Sequence, residues 1–188
     1  MSVSAEGAGN YFDVTLQKSD YYAKELGVWG GKGADGLGLK GEVAREDFLA
    51  LASNEVPGTG AKLTVRTKDK RTAGYDFCYS VPKSVSVYLA LSGDPAVERM
   101  IREAFRETMV DVEARMETRV RGADEGGNHR DENRTTGNLV HAAFVHTVSR
   151  PIDGIPDPHY HIHCYAFNAT FDPVEDRLEG GAVHEPQS

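Results

Sequence analysis

This 188-residue sequence has little of three features that would each assign it to a well-defined class of protein. It has only two cysteines, Cys78 and Cys164, a number that favours reduced core positions over a disulfide framework. No apolar run approaches the roughly 20 residues needed to cross a membrane. The first residues also lack the basic and apolar regions of a signal peptide. We therefore expect a cytoplasmic protein.

Positive charge is also scarce, because 21 lysines and arginines face 29 acidic residues and the net charge is −8. This balance excludes a protein that coats duplex DNA with a broad basic surface, since such binding is driven by many phosphate contacts. It does not exclude a local basic groove. Residues 61–90 contain 6 basic and 2 acidic side chains, so Lys62 to Lys83 forms a basic island. This island is either a solvated loop or a phosphate contact.

The composition, 39% hydrophobic and 27% charged, is that of one globular domain with one core. Apolar residues at helical spacing predict a long helix over Pro95–Val120, and shorter helices are predicted over Arg45–Ala52 and after Pro82. Gly122–Gly137 is predicted to be a mobile acidic loop. Strands are predicted at Gly74–Ser80, Asn138–Val148 and His159–Phe171. The pattern predicts an α+β fold, an antiparallel sheet with helices packed on one face in two layers.

Three histidines occupy alternate positions at His159, His161 and His163, and this is the strongest chemical signal in the chain. On a strand, alternate side chains share one face, so the three imidazoles would lie together. If the preceding predicted strand pairs with this one as a hairpin, His146 approaches the row and His141 does not. Imidazoles on paired strands are typical of a metal site with positions open for substrate or water. The alternative is an exposed histidine-rich strand without metal.

Three tyrosines lie near the N-terminus, at Tyr11 and at the adjacent Tyr21 and Tyr22. A tyrosine hydroxyl can attack a phosphate and hold it as a covalent phosphotyrosine. A metal that polarises a phosphoryl oxygen is the usual companion of such a weak nucleophile. The alternative is a set of amphipathic surface tyrosines without a chemical role.

Four motifs, in this order along the chain, resemble those of the TrwC/TraI-type (MobF) conjugative relaxases, which are histidine-hydrophobic-histidine (HUH) endonucleases. They are Ser19-Asp-Tyr-Tyr, the glycine-rich segment that begins at Trp29, Gly74-Tyr-Asp-Phe-Cys-Tyr-Ser-Val-Pro-Lys-Ser and Asp157-Pro-His-Tyr-His-Ile-His. The resemblance implies a metal-dependent nickase and strand transferase for conjugative DNA transfer. Such an enzyme cuts single-stranded DNA at an origin of transfer and keeps the 5′ end as a phosphotyrosine.

The resemblance carries the family's metal ligands onto His146, His161 and His163. It implies one divalent cation, with magnesium or manganese as the ion in use and other transition metals as alternatives, because imidazoles favour later transition metals in purified protein. The family's aspartate falls on Asp76. This residue resembles the carboxylate that orients a histidine ligand or the attacking tyrosine.

The same resemblance makes Tyr11 the expected first nucleophile and Tyr21 or Tyr22 the candidate for the second strand-transfer step. A single strand needs a groove with basic and stacking side chains. The candidate DNA contacts are Trp29, Lys83, Arg150 and His159.

Two departures from the family pattern lead to further expectations. Only three residues precede Ser4, so an edge of the sheet is expected to be missing or supplied otherwise. The chain ends at Ser188, so we expect a catalytic domain over residues 1–188 without the C-terminal region that clasps DNA. It is then either a fragment of a relaxase-helicase or a natural short protein.

The expected partners are single-stranded DNA at an origin of transfer and other relaxosome proteins or a helicase, with no membrane. Two alternatives stay open. One is a three-histidine metal hydrolase or oxygenase that acts on a small molecule, which would have no use for the N-terminal tyrosines. The other is a catalytically silent DNA-binding remnant.

Overall fold

A computed structural model describes residues 1–16, 26–65, 71–123, 129–149, 151 and 153–183. The strands are β1 (Ser2–Ser4), β2 (Val28–Gly30), β3 (Thr72–Ser80), β4 (Met116–Ala123), β5 (His129–Thr135), β6 (His141–Val148), β7 (Pro158–Phe167), β8 (Thr170–Asp172), β9 (Arg177–Glu179) and β10 (Gly181–Val183). The helices are α1 (Ala8–Tyr11), α2 (Lys32–Gly36), α3 (Arg45–Ala52), α4 (Lys83–Ser92) and α5 (Pro95–Ala114), and a π-helical turn spans Phe12–Leu16. No described helix is both long and apolar enough to cross a bilayer.

The central element is a five-stranded antiparallel sheet with the strand order β1-β3-β7-β6-β2. Side chains alternate between its two faces along β7. Tyr160, Ile162 and Cys164 pack against α4 and α5 in one hydrophobic cluster. Tyr165 and Phe167 belong to a second cluster on the opposite face. The sheet therefore separates two cores, and the odd-numbered positions of β7 define the face that carries the histidine row.

The predicted α+β class and the antiparallel sheet are confirmed, and the two longest helices, α4 and α5, lie together on one face. The opposite face is also partly covered. Tyr11 in α1 packs on Tyr165, Phe12 in the π-helical turn packs on Phe144, and Phe48 in α3 packs on Tyr165. These short helical segments place the N-terminal part of the chain on the face of the histidine row.

Helix α5 begins where the sequence predicts, because the Asp94 side chain accepts a hydrogen bond of 2.9 Å from the backbone N–H of Ala96 and proline suits the first turn. It does not continue to Val120 as predicted. The chain changes to strand β4 at Met116, and Met116 and Thr118 are buried at alternate positions. Pairing of β4 with β5 and β10 determines this change.

The predicted loop over Gly122–Gly137 is wrong in part, because β5 occupies His129–Thr135. This strand pairs with β4 along seven positions, from Glu117 opposite Thr135 to Ala123 opposite His129. Its polar sequence carries no strand signal, since the strand is stabilised by backbone pairing with its neighbour rather than by apolar burial.

The remaining predicted elements are confirmed with small shifts. Helix α3 has the predicted bounds and α4 follows Pro82. The third predicted strand is divided, because β7 ends at Phe167 and β8 begins at Thr170.

The expectation that an edge of the sheet is missing is wrong. Ser2, Val3 and Ser4 pair with Tyr75, Gly74 and Thr72 as strand β1. The amino group of Met1 also donates a 2.9 Å hydrogen bond to the backbone carbonyl of Asp76. Three residues suffice because Val3 is buried in the core and the terminal amino group continues the pairing.

Candidate metal and nucleophile site

Strand pairing brings three histidines to one place on the sheet. His146 in β6 lies directly opposite His161 in β7, and His163 follows two positions later on the same face. One ligand atom from each of these three residues lies within 4.8 Å of the other two. Each pair of ring centroids is 5.1 Å apart. Three imidazoles at this spacing fit a metal ion and leave coordination positions open.

Two of the imidazoles are held through Nδ1. The Nδ1 atom of His161 lies 2.8 Å from the backbone carbonyl oxygen of His159, and Nδ1 of His163 lies 2.8 Å from Oδ2 of Asp76. Nδ1 is then the donor in each ring, which leaves Nε2 as the ligating atom. A ligand histidine whose other nitrogen is bonded to a carbonyl or carboxylate is the usual arrangement in metal sites.

The histidine cluster is partly shielded from water, which affects its charge. Burial is the largest cause that lowers the pKa of His161 to about 4, and the neighbouring His146 and His163 also lower it. The ring of His161 is therefore neutral around neutral pH. A neutral imidazole is the form that binds a metal, so the site does not need to lose a proton there.

Asp76 joins the predicted nucleophile to the predicted metal site. The hydroxyl of Tyr11 donates a hydrogen bond to Oδ2 of Asp76, the same oxygen that is bonded to His163. The Asp76 side chain is only 8% exposed. Burial by itself would raise the pKa of Asp76, but the hydrogen bonds from His163 and Tyr11 hold it below its ordinary value. Asp76 is thus an ionised acceptor with two donors on one oxygen.

Tyr11 lies at the end of α1 and is almost fully buried. Its ring packs on that of Tyr165, with centroids 5.9 Å apart. Burial and the hydrogen bond to Asp76 raise the pKa of Tyr11 far above its ordinary value. Tyr11 is therefore a neutral phenol whose proton is already directed at a carboxylate.

Two of the candidate DNA contacts lie at the start of β7, and one of them is beside the histidine cluster. His159 stacks on His161 with ring centroids 4.5 Å apart, and it is outside the ligand set. The Nζ of Lys83 donates to the carboxylate of Asp157 and to the backbone carbonyl of Pro158, the latter at 2.8 Å. Both side chains thus lie close to the start of β7.

The prediction for Trp29 needs correction. Its indole is only 7% exposed and packs 5.9 Å from the ring of Phe167, inside the main core. Such a ring has almost no surface to offer to a base. The remaining predicted site residues, Tyr21, Tyr22 and Arg150, lie outside the described residues.

Sequence reasoning missed Tyr165, which lies directly opposite Asp76 and beneath Tyr11. The signal was present, because Tyr165 has the same parity on β7 as His161 and His163. Residues of this parity share the face of the histidine row, so the alternation that located the ligands also locates Tyr165.

Comparison with known proteins identifies the family. An antiparallel sheet with a three-histidine cluster beside a buried tyrosine fits a relaxase, and the family model for the TrwC relaxase matches residues 5–185. The chain therefore belongs to the TrwC relaxase family, and the resemblance drawn from its motifs is confirmed.

The chain is 37% identical over 172 residues to the multifunctional conjugation protein TraI of Escherichia coli. It is 36% identical over 172 residues to TraI of strain K12. Each alignment covers 89% of this chain and 9% of the relative, so the chain spans a small part of those proteins.

Solved structures of the conjugative relaxase TrwC are similar to the fold described above. The metal-bound complex of TrwC with oriT DNA has a TM-score of 0.77 and 29% identity, over 96% of this chain and 60% of that chain. A copper-bound complex of TrwC with oriT DNA has a TM-score of 0.78 and 30% identity, over the same shares of the two chains. This chain thus spans about three fifths of those TrwC chains.

Proposed function

We propose that this chain nicks one strand of DNA at an origin of transfer and remains covalently attached to the 5′ end that it creates. Tyr11 is the nucleophile, and His146, His161 and His163 hold one divalent cation. The observation that carries the proposal is the shared oxygen of Asp76, which contacts both the hydroxyl of Tyr11 and the Nδ1 of His163. A nucleophile and a metal ligand joined through one carboxylate suit phosphoryl transfer.

The reaction is an exchange of one phosphodiester bond for another. The Tyr11 oxygen attacks the scissile phosphorus, the bond between phosphorus and the 3′ oxygen breaks, and the 3′ oxygen takes up a proton from solvent water and leaves as a hydroxyl. Asp76 accepts the phenolic proton as attack proceeds, because it is ionised and already receives that hydrogen bond. A divalent cation, when bound, withdraws charge from the non-bridging phosphate oxygens.

The substrate proposed is single-stranded DNA, because the attacking oxygen must approach the scissile phosphate in line with the leaving oxygen and a duplex hinders this. One related structure is TrwC complexed with a 27-mer DNA that comprises the recognition hairpin and the cleavage site. Reversal of the same exchange would rejoin the strand, and the proposed second tyrosine for that step is Tyr21 or Tyr22.

Magnesium or manganese is proposed as the ion in use. The donor set by itself favours later transition metals, since imidazole suits zinc, copper and nickel. The structures of TrwC described as metal-bound and copper-bound support a metal but do not decide the ion for this chain. A comparison of nicking rates with magnesium, manganese, zinc and copper tests this proposal, and activity restricted to zinc would overturn it.

The cytoplasmic location and the contacts with other relaxosome proteins or a helicase stay predictions. The whole relatives are much longer than this chain, so partners bound by their other parts need not contact it.

The decisive experiment incubates the chain with manganese and single-stranded oligonucleotides tiled across the non-coding DNA beside its own gene. We expect a covalent protein–DNA adduct, and mass spectrometry should place the nucleotide on the peptide that contains Tyr11. Tyr11→Phe should abolish the adduct, whereas Tyr88→Phe, at a half-exposed position of α4, should not change it. An adduct that forms at full rate in Tyr11→Phe would transfer the nucleophilic role to Tyr21 or Tyr22.

A metal hydrolase or oxygenase acting on a small molecule would form no nucleotide adduct in the same experiment. A silent DNA-binding remnant would bind the oligonucleotides without cleaving them. A gel shift recorded on the same samples separates these two outcomes from the proposed reaction.

A further inference from the structure

The carbonyl that orients His161 belongs to a peptide group that is held at both ends. Nδ1 of His161 lies 2.8 Å from the backbone oxygen of His159, and Nδ1 carries the proton because a carbonyl oxygen can only accept. The N–H of the same peptide group belongs to Tyr160, and it donates a 2.9 Å hydrogen bond to Oγ of Ser86 in α4. One peptide group therefore connects the hydroxyl of Ser86 to the imidazole of a predicted metal ligand.

This connection is rigid because a peptide group is planar. The carbon, oxygen, nitrogen and hydrogen atoms between His159 and Tyr160 share one plane, so a contact that fixes the direction of the N–H also fixes that of the carbonyl. Hydrogen bonds that follow one another in a chain also polarise each other. Donation of the N–H to Ser86 therefore makes the carbonyl a better acceptor for the proton on His161.

Helix α4 takes this place because the pairing of β3 with β7 ends beside it. The last pair of these two strands is Ser80 opposite His161. One further backbone contact follows, in which the N–H of Val81 donates to the carbonyl of Tyr160 at 3.3 Å. The chain then enters α4. Ser86 thus accepts a hydrogen bond from the part of β7 that extends past the end of β3.

Two side chains of α4 bind consecutive peptide groups at the start of β7. Nζ of Lys83 donates a 2.8 Å hydrogen bond to the carbonyl of Pro158, and Ser86 accepts from the next peptide group. These two residues are three positions apart, so they are neighbours on the surface of the helix. Lys83 is exposed, whereas Ser86 is only 2% exposed. A hydrogen bond in a buried place is costly to remove, so Ser86 is the stronger of the two contacts.

We infer that Ser86 is a positioning residue for His161. Its hydroxyl fixes the peptide group between His159 and Tyr160, and that group holds the His161 ring with its proton on Nδ1 and with Nε2 available to the metal. A histidine that binds a metal through Nε2 needs this tautomer. The effect on metal affinity rests on the metal site of the proposed function, whereas the effect on the ring does not.

A purely structural role of Ser86 makes a different prediction. Loss of the hydroxyl would then lower the free energy of unfolding, but the folded protein would keep its metal affinity and the tautomer of His161. Val85→Ala is the comparison, because Val85 packs against the same side of the sheet from the neighbouring position of α4 and its loss leaves the hydroxyl of Ser86 in place. That variant should lose stability and keep its metal affinity.

The first test titrates the folded, metal-free chain with manganese in a calorimeter. Ser86→Ala should weaken binding about tenfold, the lower limit for loss of a group that supports a ligand. Ser86→Thr keeps a hydroxyl and should retain the affinity. Ser84→Ala, at an exposed position of the same helix, should retain it as well. Equal affinities of Ser86→Ala and the wild type, or an equal loss in Val85→Ala, would overturn the proposal.

The second test observes the ring directly and needs neither metal nor DNA. Long-range proton–nitrogen correlation spectra of the metal-free chain report which nitrogen of each histidine carries the proton. His161 should be protonated at Nδ1 alone in the wild type and should exchange between both tautomers in Ser86→Ala. His163 is the internal reference, because its Nδ1 is held by Asp76 and should not respond. An unchanged His161 signal in Ser86→Ala would contradict the positioning role.

Ser86→Cys takes the place of Ser86→Ala in both tests if the alanine variant does not fold. Sulfur fills a similar volume but is a weak acceptor, so the same changes are expected. The two proposals can fail separately. If the wild type binds no manganese but the Ser86 variants release the tautomer of His161, the metal site fails and the positioning role stands. If the wild type binds manganese and the Ser86 variants change neither quantity, only the positioning role fails.

Discussion

Tyr11 and Asp76 are separated by 65 positions in the sequence, yet the hydroxyl of one donates a hydrogen bond to the carboxylate of the other. The contact forms because α1 lies on the face of the sheet to which Asp76 points. Asp76 belongs to β3, which is the strand between β1 and β7. The same carboxylate oxygen contacts His163. The predicted nucleophile Tyr11, the carboxylate of Asp76 and the predicted metal ligand His163 thus form one connected unit, with Asp76 at its centre.

Asp76→Asn should reduce adduct formation at least about 100-fold, the lower range for loss of a general base. The amide has the same shape but no negative charge to receive the phenolic proton. Binding of single-stranded DNA, measured by fluorescence anisotropy, should be unchanged. Asp35→Asn is the matched control, because Asp35 is exposed and makes only a weak ion pair of 3.9 Å with Lys40. A fully active Asp76→Asn protein would exclude the carboxylate from proton transfer.

His161→Gln should weaken manganese binding more than about tenfold in isothermal titration calorimetry, because one of three imidazole ligands is lost. His159→Gln should retain the affinity. That substitution removes the stacked ring but keeps the backbone carbonyl that orients His161. If both variants lose the metal equally, His159 belongs to the ligand set and the three-histidine assignment is wrong.

Gly74→Ala should lower the free energy of unfolding by about 1–3 kcal/mol, the range for an overpacked site. The new Cβ atom would lie 2.5 Å from the backbone oxygen of Ala166 and from the ring of Tyr165, and the backbone oxygen cannot move away easily. The control is Gly36→Ala in α2, where a Cβ atom meets no other atom within 4 Å. Urea denaturation measures both variants, and equal stabilities would show that the Tyr165 ring adjusts freely.

His141 should make the fold less stable in mild acid. Burial lowers its pKa to about 4 from its ordinary value of 6.5, so between these two values the unfolded chain binds the extra proton and the folded chain does not. The contribution of neutral His141 to the free energy of unfolding is therefore fully present above the pKa of the unfolded chain, 6.5. It decreases as the pH falls from there toward the pKa in the fold, about 4. The expected loss from about pH 7 to about pH 5 is about 2 kcal/mol.

His141→Met removes this titration, so the pH dependence of its unfolding free energy should be shallower than that of the wild type. Urea denaturation at the two pH values measures the difference. His161 titrates in the same range and is present in both proteins, so it cancels in the comparison. Parallel pH dependences would show that His141 is protonated as easily in the fold as in the unfolded chain.

Much of the site follows from period-two alternation in the sequence. Alternation places His161 and His163 on one face of a strand, and the assumption of a hairpin brings His146 to them and keeps His141 away. The structure has this arrangement, with His146 opposite His161. The prediction succeeded because strand geometry leaves only two faces, and because the apolar residues at the other parity must face a core.

The prediction failed where pairing or packing between distant segments outweighs local signals. The polar β5 has no local pattern of a strand, and only its pairing with β4 makes it one. Trp29 is attractive as a stacking residue when it is considered alone, but in the fold its ring packs on Phe167. A local sequence cannot show which distant aromatic ring will cover a side chain.

By itself, the sequence determined the helix and strand periodicities, the face on which the histidines lie and the motifs that place the chain among relaxases. Only the tertiary structure decided that one oxygen of Asp76 receives hydrogen bonds from both Tyr11 and His163, and that the ring of Tyr11 packs on that of Tyr165. The physical reason is range. Alternation is a property of neighbouring residues, whereas a shared hydrogen-bond acceptor depends on the register of three strands and on a helix that packs across them.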